Sequence, residues 1–227
     1  MRALLITLLS IASILRAEQV IFSEVMYHPP EGKPEYIEIL NLTSNRLDMA
    51  QWRLKDGVEY TFPGFSGDSS HFLNQYERIL VSSAAPAATR AAYPSIPPFV
   101  RVYGPWSATS QLNNAGERII LEDAAGAGVC ELTYGEGGKW PVAADGTGHS
   151  IIVVNPNRKI DDWRNWALGP RNGGSPGNPE ITVAEEIATG SSEFNVIDFT
   201  TSVNYTSNWK YWRDAADPDG VNPEGTW

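Results

Sequence analysis

The chain has 227 residues, with 27 acidic against 17 basic side chains, a net charge of −10 and one cysteine. So acidic a chain, with no basic stripe, repels phosphate backbones and anionic membrane surfaces, which argues against nucleic-acid and membrane-surface binding. One thiol leaves no internal disulfide, so the fold must rest on its apolar core.

The N-terminus comes first. Arg2 gives a short positive start, Ala3 to Leu15 form an uncharged, mostly apolar run, and Leu15-Arg16-Ala17 leads into Glu18-Gln19. This is the layout of a secretory signal peptide over residues 1–17, with small Ala17 before the cut. Thirteen residues are too few to cross a bilayer core, which needs ~20. Removing residues 1–17 takes away Arg2 and Arg16, leaving 15 basic against 27 acidic residues, or −12. A secreted or cell-surface protein with no transmembrane segment in its mature chain is expected.

From residue 18 the chain reads as β. Short runs rich in branched and aromatic residues alternate with Gly, Pro, Asn and Asp clusters. Strands are expected near Val20–Tyr27, Tyr36–Asn41, Gln51–Leu54, Tyr60–Phe62, Arg78–Ser82, Arg118–Glu122, Val129–Tyr134 and Ser150–Val154. In the second, Ile37 and Ile39 share a face and Glu38 takes the other, the pattern of a half-buried strand. Ala84–Ala92 is the one helical stretch, stopped by Pro94. Asn113-Asn114-Ala115-Gly116 reads as a hairpin loop, because Asn and Gly tolerate positive φ. Asp145-Gly146-Thr147-Gly148 reads as a second turn. Cys130 alternates with Leu132 and Tyr134 and is expected inside. Trp52, Trp140, Trp163 and Trp166 flank turns or strand ends, where an indole caps a core or presents a face for sugar stacking.

These elements predict an all-β sandwich over residues 18–168. Gly169–Glu180, with four glycines and three prolines in twelve residues, reads as a linker. Residues 181–227 read as an incomplete second β domain or tail, too short to be an independent sandwich without disulfides.

A family resemblance runs through these residues. Val20–Tyr27 followed by Glu35-Tyr36-Ile37-Glu38-Ile39-Leu40-Asn41 resembles the opening strands of the bacterial lamin-tail domain. Leu47, Trp52, Asp56-Gly57 and Tyr60–Pro63 continue the likeness. Leu112–Leu121, containing Asn114 and Gly116, follows in order, as do Trp140-Pro141, Asp145–Ile151 with Gly148, Trp163 and Gly173–Pro179. Ser23 departs from the family's usual Asn, and His149 from its usual small residue. The resemblance implies an immunoglobulin-like β-sandwich. Residues 209–227, with Trp209-Lys210-Tyr211-Trp212, are similar to the opening of a galactose-binding-like sandwich, which often follows lamin-tail modules in exported bacterial proteins.

No constellation points to chemistry. Glu35 and Glu38 are three apart on a strand, hence on opposite faces, and read as solvated or edge charges. Asp145, His149 and Ser150 hold the ingredients of a triad, but neighbours on a strand face apart. His28, His71 and His149 have no metal-ligand spacing. The one ligand reading is calcium at Asp214, Asp217 and Asp219, which precede Gly220 as in a fragment of a calcium loop; no other cofactor is expected.

The expected function is therefore a non-enzymatic binding or display module contacting protein or glycan of the cell envelope or extracellular matrix. The alternative is the N-terminal accessory portion of a larger extracellular enzyme. The resemblance implies nuclease, phosphatase or kinase-like neighbours, whose catalytic domain would lie beyond residue 227.

Overall fold

The computed structural model describes residues 19–64 and 70–179. The expected signal peptide, the 181–227 segment and the acidic turn Asp214, Asp217, Asp219 lie outside the described residues.

The strands are β1 Val20–Met26, β2 Tyr36–Asn41, β3 Leu47–Asp48, β4 Arg53–Asp56, β5 Tyr60–Thr61, β6 Phe72–Leu73, β7 Arg78–Ser82, β8 Arg101–Tyr103, β9 Arg118–Glu122, β10 Gly128–Thr133, β11 His149–Val153 and β12 Trp166–Asn172. Among the described residues one α-helix, α1, spans Pro86–Ala92, with Pro at its first turn, where the missing N–H costs nothing. Six strands form one sheet in the order β12-β11-β1-β2-β7-β8, and four form another in the order β10-β9-β4-β5. Neighbours in the large sheet are antiparallel except β7 and β8, which are parallel and joined through α1. This is the all-β, immunoglobulin-like sandwich.

The core lies between the sheets. Phe22, Val25, Ile37, Ile39, Ile79, Val81, Ile151 and Val153 face Leu54, Ile119, Leu121, Cys130 and Leu132, all buried. Each such aliphatic side chain contributes about 1.5–3 kcal/mol on leaving water. Cys130 takes the inward position its alternation predicts.

The large sheet is covered on its other face too. Met26, Tyr36 and Leu80 pack there against Tyr93, Ile96 and Val100 from the segment around and after α1. Glu24 and Glu38, also buried, are bonded to residues of the chain's last described stretch, and buried Ser150 donates to Glu24. All of β1 and all of β2 are consequently buried. The half-buried pattern expected for β2 is corrected on this point: its alternation separates two faces correctly, but neither meets solvent.

Two further expectations change. Gly169–Asn172 complete β12, and Gly173–Gly177 are buried against the outer face of the large sheet, so this stretch is no linker. We call Gly173–Gly177 the strap. The Asn113–Gly116 segment does turn, with Gly116 N–H donating to Asn113 O at 2.9 Å. It is not a hairpin, however, because no strand precedes it; β9 pairs with β10 and β4.

β1 lies inside the sheet, with β2 on one side and β11 on the other. A chain ending at Glu136 would therefore leave one edge of β1 open and Glu24 and Glu38 on the outer face without the strap. It is expected to show no cooperative thermal transition by circular dichroism, while residues 19–179 melt in a cooperative one.

Candidate functional site

The polar groups buried on the outer face form a connected set. β1 carries an irregularity between Phe22 and Glu24, after which Glu24 lies directly opposite Glu38 on β2. Glu24 Oε1 accepts hydrogen bonds from Tyr36 Oη at 2.8 Å, Ser150 Oγ at 2.5 Å and the Ser175 backbone N–H at 2.8 Å. Ser175 Oγ donates to its Oε2 at 3.3 Å. Glu38 Oε1 accepts from Ser23 Oγ at 2.7 Å and pairs with Arg78 Nε at 3.2 Å, and its Oε2 accepts the Gly177 N–H at 2.6 Å. Both glutamates have 0% exposure. Glu38 is thus corrected from a solvated or edge charge to a buried one. A buried carboxylate is tolerated only with such a set of donors. Burial, with the Glu24 charge next in effect, holds the Tyr36 hydroxyl well above the usual phenol range, so it stays a donor.

The strap's glycines follow from this closeness. Gly174 has φ +75°, and a Cβ there would overlap Tyr36 Oη and Glu24 Oε1.

A second cluster lies where β1 and β10 end and β2 begins. Tyr27 stacks on Tyr134 with centroids 4.9 Å apart, and Tyr134 Oη donates to Asn113 O at 2.9 Å and Glu117 Oε1 at 3.1 Å. Glu35, just ahead of β2, accepts the Leu112 N–H at 3.0 Å through Oε2. Glu35 is half-buried rather than solvated. Burial pushes its carboxyl up to about 7; the Leu112 N–H opposes this, Glu117 adds to it, and His28 opposes it. His28 Nδ1 meets Asp145 Oδ1 at 2.6 Å across the same end.

Other residues singled out in the sequence have distinct partners. Asn41 is buried and donates to Asn45 O and Asn74 O while accepting from Thr43, so it shapes the loop after β2. Gly116 has φ +97°, and a Cβ would come 2.5 Å from Tyr134 O; Asn114 beside it is exposed. Gly148 has φ +78° and packs on Pro30 and Asn172. Trp52 and Trp140 are half-buried against the core. Trp166 is buried, its indole N–H donating to Ile160 O at 2.8 Å. Trp163 opens a 3-10 turn over Trp163–Asn165 and is half-buried. Asp145, His149 and Ser150 are not brought together: Asp145 meets His28, His149 Nδ1 bonds Gly169 O at 2.7 Å, and Ser150 bonds Glu24. His149 Nε2 has no hydrogen-bond partner among the described residues. Among those residues no three His, Cys, Asp or Glu side chains converge as metal ligands, and no helix is long and apolar enough to cross a membrane.

Sequence reasoning missed Glu24, Tyr36 and Ser175 as one unit, since they come from three separate stretches. It also missed a groove of about 360 Å³ lined by Thr133, Trp140, Lys159, Asp161, Asp162, Trp163 and Arg164.

A two-layered β-sandwich of immunoglobulin type, with these turns and buried positions, defines the class. The chain belongs to the lamin tail domain family, whose description, Lamin Tail Domain, matches residues 16–136. The matched segment takes in β1 to β10; β11, β12, the strap and most of the groove follow it. Among curated proteins no match is found.

Two outcomes follow from the geometry. Gly174→Ala is expected to lower stability by about 2–4 kcal/mol in urea unfolding, from a left-handed backbone plus overlap with Glu24 and Tyr36. Gly138→Ala (φ +69°, nothing within 4 Å) should cost only about 1 kcal/mol. For Glu35, the folded pKa lies above the unfolded one, so its contribution is present below pH 4.5 and is lost as pH rises through 7. Glu35→Gln should therefore match the wild type near pH 4 and be more stable at pH 8. The gain should be about 1–2 kcal/mol after allowance for solvent screening at this half-exposed site, read from melts across that range.

Proposed function

We propose that this lamin tail domain protein is an exported, non-enzymatic binding or display module whose partner is a polymer of the cell envelope or extracellular matrix. The observation that carries this reading is where the reactive side chains go. Glu24, Glu38 and Ser150 are hydrogen-bonded into the sheet and strap, and Asp145 and His149 are bonded to unrelated groups. A catalytic set needs a nucleophile, a base and an orienting group within reach of one bond. These residues instead hold the scaffold, and binding is left to loops and grooves at its surface.

Export is supported by the charge and apolar pattern of residues 1–17. The acid excess fits a partner that is not a polyanion.

The mature chain, immobilised, should retain material from at least one of three fractions: envelope protein, cell-wall polymer and secreted polysaccharide. A β-sandwich of equal charge serves as control. Generic ester, glycoside and phosphate substrates should show no turnover. Retention of nothing would remove the binding assignment, and turnover that follows the purified chain would remove the non-enzymatic one.

A further inference from the structure

We infer that the groove beside Trp163 is a carbohydrate subsite that takes one ring of a neutral glycan; this deepens, and rests on, the binding-module reading above. The groove lies where β10 ends and the chain turns into β12, and its volume of about 360 Å³ falls at the small end of the ligand-site range.

Its walls differ in character. Trp140 is held against the domain, tilted over Trp166 with centroids 6.3 Å apart and close enough to Gly135 that a Cβ there would stand 3.0 Å from the indole. Trp163 is half-buried and is not part of the core cluster, so its ring is set at the surface by the 3-10 turn it opens. That turn is fixed by Asp162, whose Oδ1 accepts the Arg164 N–H at 3.1 Å. Asp161 Oδ1 accepts the Thr133 N–H at 3.0 Å, which ties the turn to β10. An indole face is thus placed beside carboxylate acceptors and the exposed donors Lys159 and Arg164 on a braced backbone.

A sugar ring has the matching chemistry. Its axial C–H groups form an apolar face that suits an indole, and its equatorial hydroxyls need donors and acceptors around the rim. A wholly apolar ligand would desolvate Lys159 and the Asp162–Arg164 pair, which stand 3.2 Å apart, and offer them no hydrogen bonds. Charge selects further. Asp161 and Asp162 largely offset Lys159, Arg164 and nearby Lys139, and the chain as a whole carries −10, so a polyanionic chain gains little here. Lys139 Nζ and the Arg164 guanidinium stand 5.5 and 5.6 Å from the Trp163 ring centroid. Both side chains are exposed, and they have to swing aside when a ring stacks.

The test is titration of the full mature chain with cellohexaose, maltohexaose, mannohexaose and chitohexaose, with oligogalacturonate as the acidic comparison, followed by the indole N–H resonances in nitrogen–proton spectra. At least one neutral oligosaccharide should shift the Trp163 and Trp140 signals, and oligogalacturonate should not. Trp163→Ala should weaken that binding by about tenfold or more at an unchanged melting temperature. Lys159→Ala, at an exposed position where only the backbone carbonyl is bonded to Asn165, should weaken it by a smaller factor and guards against a folding defect in the first variant. Retention of envelope material by wild type and Trp163→Ala alike would overturn the groove while leaving the module reading standing. Capture of a protein alone, or preference for oligogalacturonate, would overturn the neutral-glycan assignment. Loss of all retention by the wild type would overturn both.

Discussion

Two carboxylates buried side by side are the constraint around which the described structure is arranged. Glu24 and Glu38 face each other across β1 and β2 with no exposure, and like charges so placed are costly unless donors surround them. Two donors are nearby in sequence, Ser23 and Tyr36, and the others come from far along the chain: Arg78 on β7, Ser150 on β11, and Ser175 and Gly177 in the strap. Satisfying the pair therefore requires the large sheet and the strap to be assembled together. The register irregularity at Ser23 and the positive φ of Gly174 are local costs of that arrangement.

The same constraint explains why the large sheet has two covered faces with different chemistry. Toward the small sheet it offers an almost wholly aliphatic surface, where fit rests on dispersion and water exclusion. On the outer face, apolar residues near α1 sit beside a polar patch with specified partners. Non-directional packing supplies most of the burial energy, while the hydrogen-bonded glutamates determine which segment closes over them.

Much of the fold was legible in sequence. Six-residue β2 stands out because Ile37 and Ile39 alternate with Glu38, and seven-residue β1 because branched and aromatic residues are concentrated in it. β3, β6 and β8 have two or three residues each, too few to carry any period, and they exist through pairing alone. β12 was hidden for another reason. Gly169 and Pro170 look like breakers, yet Gly169 is needed where a Cβ would strike Ser150 Oγ, and Pro170 is tolerated because β12 is an edge strand. Glu38 shows the limit of alternation: it states which residues share a face, but not whether that face is covered. The groove was half legible. Trp140 and Trp163 were marked as aromatic, but their approach to Asp161 and Lys159 depends on a turn braced against β10.

The position of β1 bears on how the chain reaches this state. Being first in sequence and interior in the sheet, β1 gains its second neighbour only when residues more than 120 positions later have been made. Until then, an apolar strand with one open edge and an unsatisfied glutamate must wait. Loop closure over such a distance slows assembly, and the waiting edge is the part of the nascent chain most prone to pair with another molecule. Synthesis that runs ahead of closure therefore sets a time window during which a chaperone has a defined target, the edge of β1 that β11 will later occupy.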